Sequence, residues 1–299
     1  MSLNDYKDSY IAQNIRDGIN LYLSDEVTAV SLVIFICILG LGILGPLIAP
    51  YNPDTLHTIN GELARSHPPT TAHLLGTTSR GADVLSRMLV GARPTLITGL
   101  LGGTVIISIG LTVGVMSGYY GGVVGGLLMR ITDFFYGIPL IPTAIILVAF
   151  FGVGFWQTIV IIGFLLWRGN ARVFRSQVIQ IRQRPYVESA RALGASDLYI
   201  ITRHILPNMA GMIVLFFALG IGISILISAS LAFLGVIDPF TPSWGIILRN
   251  AYDSGSMTEA WWWTLPPGLM ISLTVLSTYL LGRGYERVQQ VRGGEVVIQ

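Results

Sequence analysis

Six long apolar segments, separated by polar stretches, dominate the sequence. Each is about 20 residues long, the length that an α-helix needs to cross the hydrocarbon core of a bilayer. They lie at 27–48, 94–116, 134–155, 156–174, 209–234 and 263–281. The pattern predicts an all-α polytopic membrane protein with six transmembrane helices, in which Pro139 and Pro142 kink the third one.

The polar stretches define the rest of the predicted organisation. A tail at 1–27, unlike a secretory signal in its charge pattern, precedes a membrane domain at 28–284, and a second tail covers 285–299. External loops with short helices are expected at 50–93 and 235–262, and a basic stretch lies at 177–207. A glycine-rich connector is expected at 118–126. Glycines between 99 and 114 have the spacing used for close helix packing, within the chain or against a partner.

Composition supports a membrane location and excludes several kinds of chemistry. Charged residues make up 11% of the chain, against about 25% in soluble domains. The chain has 17 arginines and one lysine, Lys7, so it carries no P-loop, whose lysine binds the nucleotide phosphates. The single cysteine, Cys37, excludes an internal disulfide and a CxxC site. The net charge of +2, with no basic stripe interleaved with aromatics, gives no support for nucleic-acid binding.

The distribution of cations predicts the orientation in the membrane. With the N-terminus in the cytoplasm, 12 Lys and Arg residues lie in the inner stretches and 5 in the outer ones. The positive-inside rule therefore predicts that both termini and the basic stretch at 177–207 are cytoplasmic.

Residues 185–207 favour a helix–turn–helix at the cytoplasmic surface. Pro185 suits the first turn of a helix, and Gly194 suits the left-handed residue past its end. Ser196 is the expected N-cap of a second helix, with Asp197 in its first turn. Pro207 is expected to stop that helix.

This stretch is more typical of a protein-binding socket than of a lipid-bound helix. Ser189 and Ala195 are small, so another protein could approach closely, and Glu188 could hold a partner's arginine. The positions spaced by three from Val187 to Leu193 are expected to share one apolar face. The alternative is an amphipathic helix in the lipid headgroups, which would prefer bulkier apolar residues and more cations.

The same residues resemble a known family. Glu188-Ser-Ala-x3-Gly194, followed by Ile205-Leu-Pro207, resembles the EAA loop of ATP-binding-cassette (ABC) importer permeases, with Ser189 in place of an alanine. Further segments resemble the C-type subunit of the dipeptide/oligopeptide/nickel permeases, in order over residues 28–290. These are Leu75–Thr77, Gly81, Asp83–Arg87, Gly91–Arg93, Asp133, Pro139, Trp167, Arg172, Arg175, Phe233–Gly235, Pro239, Thr241–Gly245, Ala260–Trp262 and Pro267–Gly268. Ala82 stands where that family usually has arginine.

The resemblance implies a non-catalytic permease subunit that forms half of a translocation path for di- or oligopeptides, in the cell membrane of a prokaryote. It implies a homologous permease as partner, two cytoplasmic ATPases that bind ATP and Mg²⁺, and an external solute-binding protein, with no cofactor or metal in this chain. The residues it assigns to ATPase coupling are Glu188, Ser189, Ala190, Leu193, Gly194, Ala195, Asp197 and Pro207. The residues assigned to docking of the binding protein are Asp83, Arg87, Arg93 and Trp244.

Other functions remain open from the residues. The same machinery could import oligosaccharides or nickel. An ion-driven secondary transporter would show inverted repeats and ionisable residues at the bilayer midplane, but the segment interiors carry almost no charge. A membrane enzyme would need a nucleophile, metal or paired-carboxylate set, and none is visible.

Two charges near the membrane have structural and functional interpretations. Arg168 lies near a segment end, so we expect its side chain to extend to the interface rather than to act within the membrane. Asp133 is expected to cap the helix that begins with Phe134, with a proton relay as the alternative.

Overall fold

The computed structural model describes residues 25–59 and 61–295, so residues 1–24 and 296–299 of the predicted tails lie outside the described part. The chain is almost entirely helical. The helices are α1 (Glu26–Ile48), α2 (Val84–Tyr120), α3 (Gly122–Tyr136), α4 (Leu140–Phe151), α5 (Phe155–Arg182), α6 (Pro185–Ala192), α7 (Asp197–Ile200), α8 (Ala210–Phe233), α9 (Trp244–Asp253) and α10 (Trp261–Glu295). A small antiparallel hairpin, β1 (Thr58–Ile59) and β2 (Glu62–Leu63), lies between α1 and α2.

Helix α1 begins at a capping carboxylate. Asp25 accepts hydrogen bonds from the hydroxyl of Thr28 and from its backbone N–H, the latter at 3.1 Å. Because these bonds favour the charged form, they lower the pKa of the Asp25 carboxyl. The cap also satisfies one of the free N–H groups at the helix start.

Helix α2 is the centre of the packing, with α1, α8 and α5 against its sides. It is 37 residues long and begins ten residues before the predicted segment, because Asp83 caps it through the N–H of Ser86 at 2.7 Å. Pro94, expected near the start of the segment, lies inside the helix. The predicted external loop at 50–93 therefore ends at residue 83.

Glycines let α2 approach its neighbours at backbone distance. A Cβ on Gly103 would lie 2.8 Å from the backbone nitrogen of Ile221 in α8. Against α5, a Cβ on Gly114 would lie 2.9 Å from the carbonyl oxygen of Ala171, and Gly110 and Gly118 repeat this contact one turn away on each side. The glycine spacing thus serves packing within the chain.

The predicted glycine-rich connector at 118–126 is wrong. The α2 helix continues to Tyr120, a single break falls at Gly121, and α3 begins at Gly122. Gly121 has a φ of 62° and a ψ of −150°, a conformation that only glycine adopts without strain. A single residue therefore separates the two helices.

The third predicted segment is broken, as its prolines indicate. α3 and α4 meet at an angle of 91°, and Pro139 is the N-cap residue of α4. Asp133 lies in the last turn of α3, so the prediction that it caps a helix start is wrong. The break falls after Asp133 because Gly137 and Pro139 interrupt the helix there.

Pro207 does not stop the helix that contains it. The turn at Ile201–Ile205 is a π-helix, in which the N–H of Leu206 bonds to the carbonyl of Ile201 at 2.9 Å, and one 3₁₀ turn at Pro207–Met209 leads into α8. The wider turn absorbs a proline that has no N–H to donate. Asp197–Phe233 is consequently one helical rod of 37 residues.

Four helices in the described part of the chain are long and apolar enough to cross a membrane, and α3 with α4 makes a fifth if the bent pair is one span. The predicted number of six is not confirmed. The remaining predicted segment corresponds to α5, which is 28 residues long. From its midpoint onward it carries Arg168, Arg172, Arg175 and Arg182.

We expect Gly114→Ala to destabilise the protein. Its Cβ would meet the Cβ of Phe174 at 2.6 Å and cannot be accommodated by a side-chain rotation, so the cost is about 1–3 kcal/mol. Gly40→Ala is the matched control, since a Cβ on Gly40 meets nothing within 4 Å and helix propensity favours alanine by up to about 1 kcal/mol. Thermal unfolding in detergent measures both variants. An unchanged midpoint for Gly114→Ala would contradict the packing.

Candidate coupling surface

Up to residue 200, the backbone of the helix–turn–helix predicted at 185–207 follows its sequence signals. Pro185 lies in the first turn of α6, and Gly194 has a φ of 81°, past the helix end. Ser196 caps α7 through the N–H of Tyr199 at 3.4 Å. A Cβ on Gly194 would meet nothing within 4 Å, so the conformation, and not the space, requires glycine there.

One face of this unit is anchored in the core. Val187 of α6, Ile200 of α7 and Ile205 in the π turn are completely buried. They pack in one apolar cluster with residues of α5, including Phe174 and Val178, and with the C-terminal end of α2. The unit is therefore packed against α5 and α2, and its π turn continues into α8, so it moves together with these three long helices.

Tyr119 at the end of α2 makes the polar contacts that join these helices. Its hydroxyl donates to Oδ1 of Asp197 at 2.7 Å, and its carbonyl accepts from the guanidinium of Arg182 in α5. The guanidinium of Arg191 in α6 lies over its ring at 5.7 Å. One residue thus contacts α5, α6 and α7.

The opposite face of the unit is exposed and apolar at its centre. Leu193 is 89% exposed and Leu198 is 71% exposed. The prediction that Leu193 shares the face of Val187 is wrong, because α6 ends at Ala192 and the chain turns outward there. We define the coupling surface as the exposed residues Glu188, Ser189, Leu193, Gly194, Asp197, Leu198 and Tyr199.

The coupling surface combines apolar side chains with carboxylates. Ala190 and Ala195, also predicted to contact a partner, are half-buried beneath it, and Pro207 lies exposed at its end, after the π turn. Exposed apolar side chains rimmed by charge are typical of protein-binding sites. Sequence reasoning missed Leu198 and Tyr199, because their exposure depends on which face of a four-residue helix the core covers.

The residues predicted to dock a binding protein are mostly internal. Asp83 is 1% exposed, and its carboxylate lies 2.9 Å from Nδ1 of His73 while it caps α2. Trp244 is also 1% exposed, and its indole N–H donates to the carbonyl of Met88 at 3.1 Å. Direct side-chain contact with another protein is therefore not available to Asp83 or Trp244.

The two arginines of this set differ from each other. Arg87 is mostly buried, donates to the carbonyl of Pro53 at 3.3 Å and lies 3.7 Å from the carboxylate of Asp54. Arg93 is exposed. Contacts of Asp83, Arg87 and Trp244 thus join the loop before α2, and α9, to α2.

Comparisons with known proteins identify the family. The family described as binding-protein-dependent transport system inner membrane component matches residues 110–288. The family described as the N-terminal TM domain of oligopeptide transport permease C matches residues 23–69.

Individual relatives of this chain are also named as transport proteins, in agreement with the matched families. A glutathione transport system permease protein, GsiD, of Pectobacterium atrosepticum is 34% identical over 93% of this chain and 91% of its own length. The protein of the same name from Escherichia coli O157:H7 is 37% identical over 86% of this chain and 83% of its own. A chain of the MetNI methionine ABC transporter, solved in inward-facing conformations, has a TM-score of 0.50 at 20% identity over 70% of this chain and 95% of its own, which shows a shared fold.

We expect Tyr119→Phe to loosen the coupling unit without unfolding the protein. The variant removes the bond to Asp197, whose loss costs about 1 kcal/mol, so amide hydrogens at 185–200 should exchange several-fold faster. Tyr120→Phe is the control, since the hydroxyl of its half-exposed side chain makes no hydrogen bond within the described part of the chain. Equal exchange in both variants would show that Tyr119 does not hold the unit.

Proposed function

This chain belongs to the family of binding-protein-dependent transport system inner membrane components, and we propose that it forms one half of the path through which an ABC importer takes up short peptides. It is a multi-pass inner membrane permease of an ABC importer. Peptides are the substrate class that fits best, because relatives are named glutathione permeases, glutathione is a tripeptide, and residues 23–69 match an oligopeptide permease domain.

The coupling surface is the observation that carries this proposal. An ATP-driven importer needs a place where a motor can act, and this chain has no P-loop of its own. The coupling surface includes exposed Leu193 and Leu198 together with the exposed carboxylate of Glu188. We infer that separate ATPases, which hold ATP and Mg²⁺, bind here, with Glu188 facing a cation of the partner.

The anchored face explains how a force on this surface reaches the membrane helices. Val187 and Ile200 are buried against α5 and α2, and Tyr119 bonds to Asp197. Closure of the ATPases would therefore tilt α5 and α2 together and shift the balance between an inward-open and an outward-open form. The chain performs no bond chemistry in this scheme and is not itself an enzyme.

The other partners follow from the same scheme. A homologous permease supplies the second half of the path, and an external solute-binding protein delivers the peptide to the loops at 50–83 and 235–262. Both termini and the coupling region at 177–207 lie in the cytoplasm, as the distribution of arginines predicts. Among the docking residues predicted from the sequence, exposed Arg93 is the one free to contact the binding protein.

Reconstitution of the complex tests this function. We expect affinity-tagged chain to co-purify with a P-loop ATPase and a second permease. In proteoliposomes with the binding protein, glutathione or a dipeptide should be taken up with ATP, and not with an ATPase variant that lacks its P-loop lysine. A complex without an ATPase would contradict the importer. Uptake of Ni²⁺ or a trisaccharide, and of no peptide, would contradict the substrate class.

We expect Glu188→Ala and Gly194→Arg to uncouple ATP hydrolysis from uptake. The first removes a charged contact and the second strains a residue at a φ of 81° on the same surface. Uptake should fall roughly tenfold while the ATPases still assemble. Glu26→Ala, which removes an exposed carboxylate from the first turn of α1, is the control. Normal uptake by both assembled variants would refute the coupling role.

A further inference from the structure

The break between α3 and α4 is held by an arginine from α5. The break spans residues 137–139, where the chain turns by 91°. Carbonyl groups at the end of α3 lack partners within the helix. The guanidinium of Arg168 donates to the carbonyl of Phe135 and, at 3.3 Å, to that of Ile138. A cation at this position also matches the negative end of the α3 dipole.

A second arginine, one turn further along α5, contacts the same helix end. Nη2 of Arg172 lies 2.6 Å from Oδ1 of Asp133. The guanidinium carbons of Arg168 and Arg172 lie 5.2 and 4.4 Å from the centre of the Tyr136 ring. A Cβ on Gly169 would reach the Tyr136 hydroxyl at 3.4 Å, so the small residue makes room for the ring. We call Asp133, Tyr136, Arg168 and Arg172 the elbow clamp.

These contacts within the chain were not expected from the sequence. Arg168 is not an isolated charge, because Nη1 of its guanidinium donates to the carbonyls of Phe135 and Ile138. Asp133 is a partner of Arg172 and not a helix cap. Apart from the elbow clamp, α5 meets α3 through the rings of Phe135, Phe164 and Trp167. It meets α4 through an apolar cluster that includes Val148 of α4 and Ile162 of α5.

Helix α5 connects the elbow clamp to the coupling surface. It runs without a break to Arg182, and α6 begins three residues later at Pro185. Ile181 of α5 is buried in the same cluster as Val187 of α6. Arg172 is ten residues from the end of α5 at Arg182, which corresponds to about 15 Å of helix. A tilt of the coupling unit therefore moves both clamp arginines.

The clamp is weak enough to change during a transport cycle. The side chains of Arg172 and Asp133 are 55% and 61% exposed, and exposed ion pairs contribute little net stability. The joint between the two rigid helices is short, and it contains Gly137 and Pro139. Such a joint, held by a cluster of this kind, can adopt two arrangements.

We propose that the elbow clamp transmits the movement of α5 to the α3–α4 break, so that Arg168 and Arg172 are positioning residues that set the angle of this helix pair during transport. The proposal rests on the proposed function, since it takes the movement of α5 to originate at the coupling surface. The clamp contacts no peptide in this scheme. It determines when the broken helix opens or closes the path.

Charge exchange between the clamp residues tests the proposal. We expect Asp133→Arg and Arg172→Asp to lower ATP-dependent uptake roughly tenfold each, with normal assembly and ATP hydrolysis, and the double exchange to restore at least half of the uptake. The control is Arg130→Asp, which reverses an exposed charge of α3 outside the clamp, and we expect no change in uptake there.

A distance measurement distinguishes a clamp that transmits the movement of α5 from one that only supports the α3–α4 break. Spin labels at Val123 of α3 and Phe150 of α4, which are 89% and 82% exposed, report the elbow angle in a background with Cys37→Ser. We expect the distance to differ between nucleotide-free and ATP-trapped complexes in the native clamp and in the double exchange. We expect no such difference in the single variants.

Three outcomes would overturn the proposal. They are normal uptake by both single variants, failure of the double exchange to restore uptake, and an elbow distance that never changes in a complex that transports. In the last case the proposed function would stand and the cluster would be a static support. Failure of the proposed function looks different, because the unaltered complex would then lack an ATPase or ATP-dependent uptake.

Discussion

The close approach of α2 to α5 and α8 is the constraint on which the rest of the structure depends. In lipid, apolar side chains gain little by meeting each other, so helices associate through tight van der Waals packing. Gly103, Gly110, Gly114 and Gly118 allow this contact at backbone distance. Because α2 is held this way, Tyr119 at its end can reach the coupling unit, and Asp83 at its start can hold the outer loop.

Features that depend on local backbone chemistry could be predicted from the sequence. Pro185, Gly194 and Ser196 lie where capping and turn preferences place them. The family also follows from short motifs, because the spacing of Glu188, Gly194 and Pro207 is unusual enough to be specific. The apolar segments also indicated a membrane protein, because the hydrophobicity of a helix depends only on the residues within that helix.

Features that depend on distant contacts could not be predicted. Asp133 resembles a helix cap in sequence, but its partner is an arginine 39 residues away. Trp244 and Asp83 resemble exposed loop residues until the outer loops fold against α2. A proline usually ends a helix. At Pro207 the helix continues because a π turn precedes it, in which Ile205 is buried. The exposure of Leu193 likewise depends on how the core covers α6.

The uninterrupted helix from Asp197 to Phe233 has a geometric consequence. At 37 residues it is about 55 Å long, which exceeds the thickness of the hydrocarbon core. If a helix of this length pivots near its midpoint, its two ends move in opposite directions. A rotation of about 10° then moves each end by about 5 Å. Inward displacement at one side of the bilayer then accompanies outward displacement at the other, and a single rigid element can make the two openings mutually exclusive.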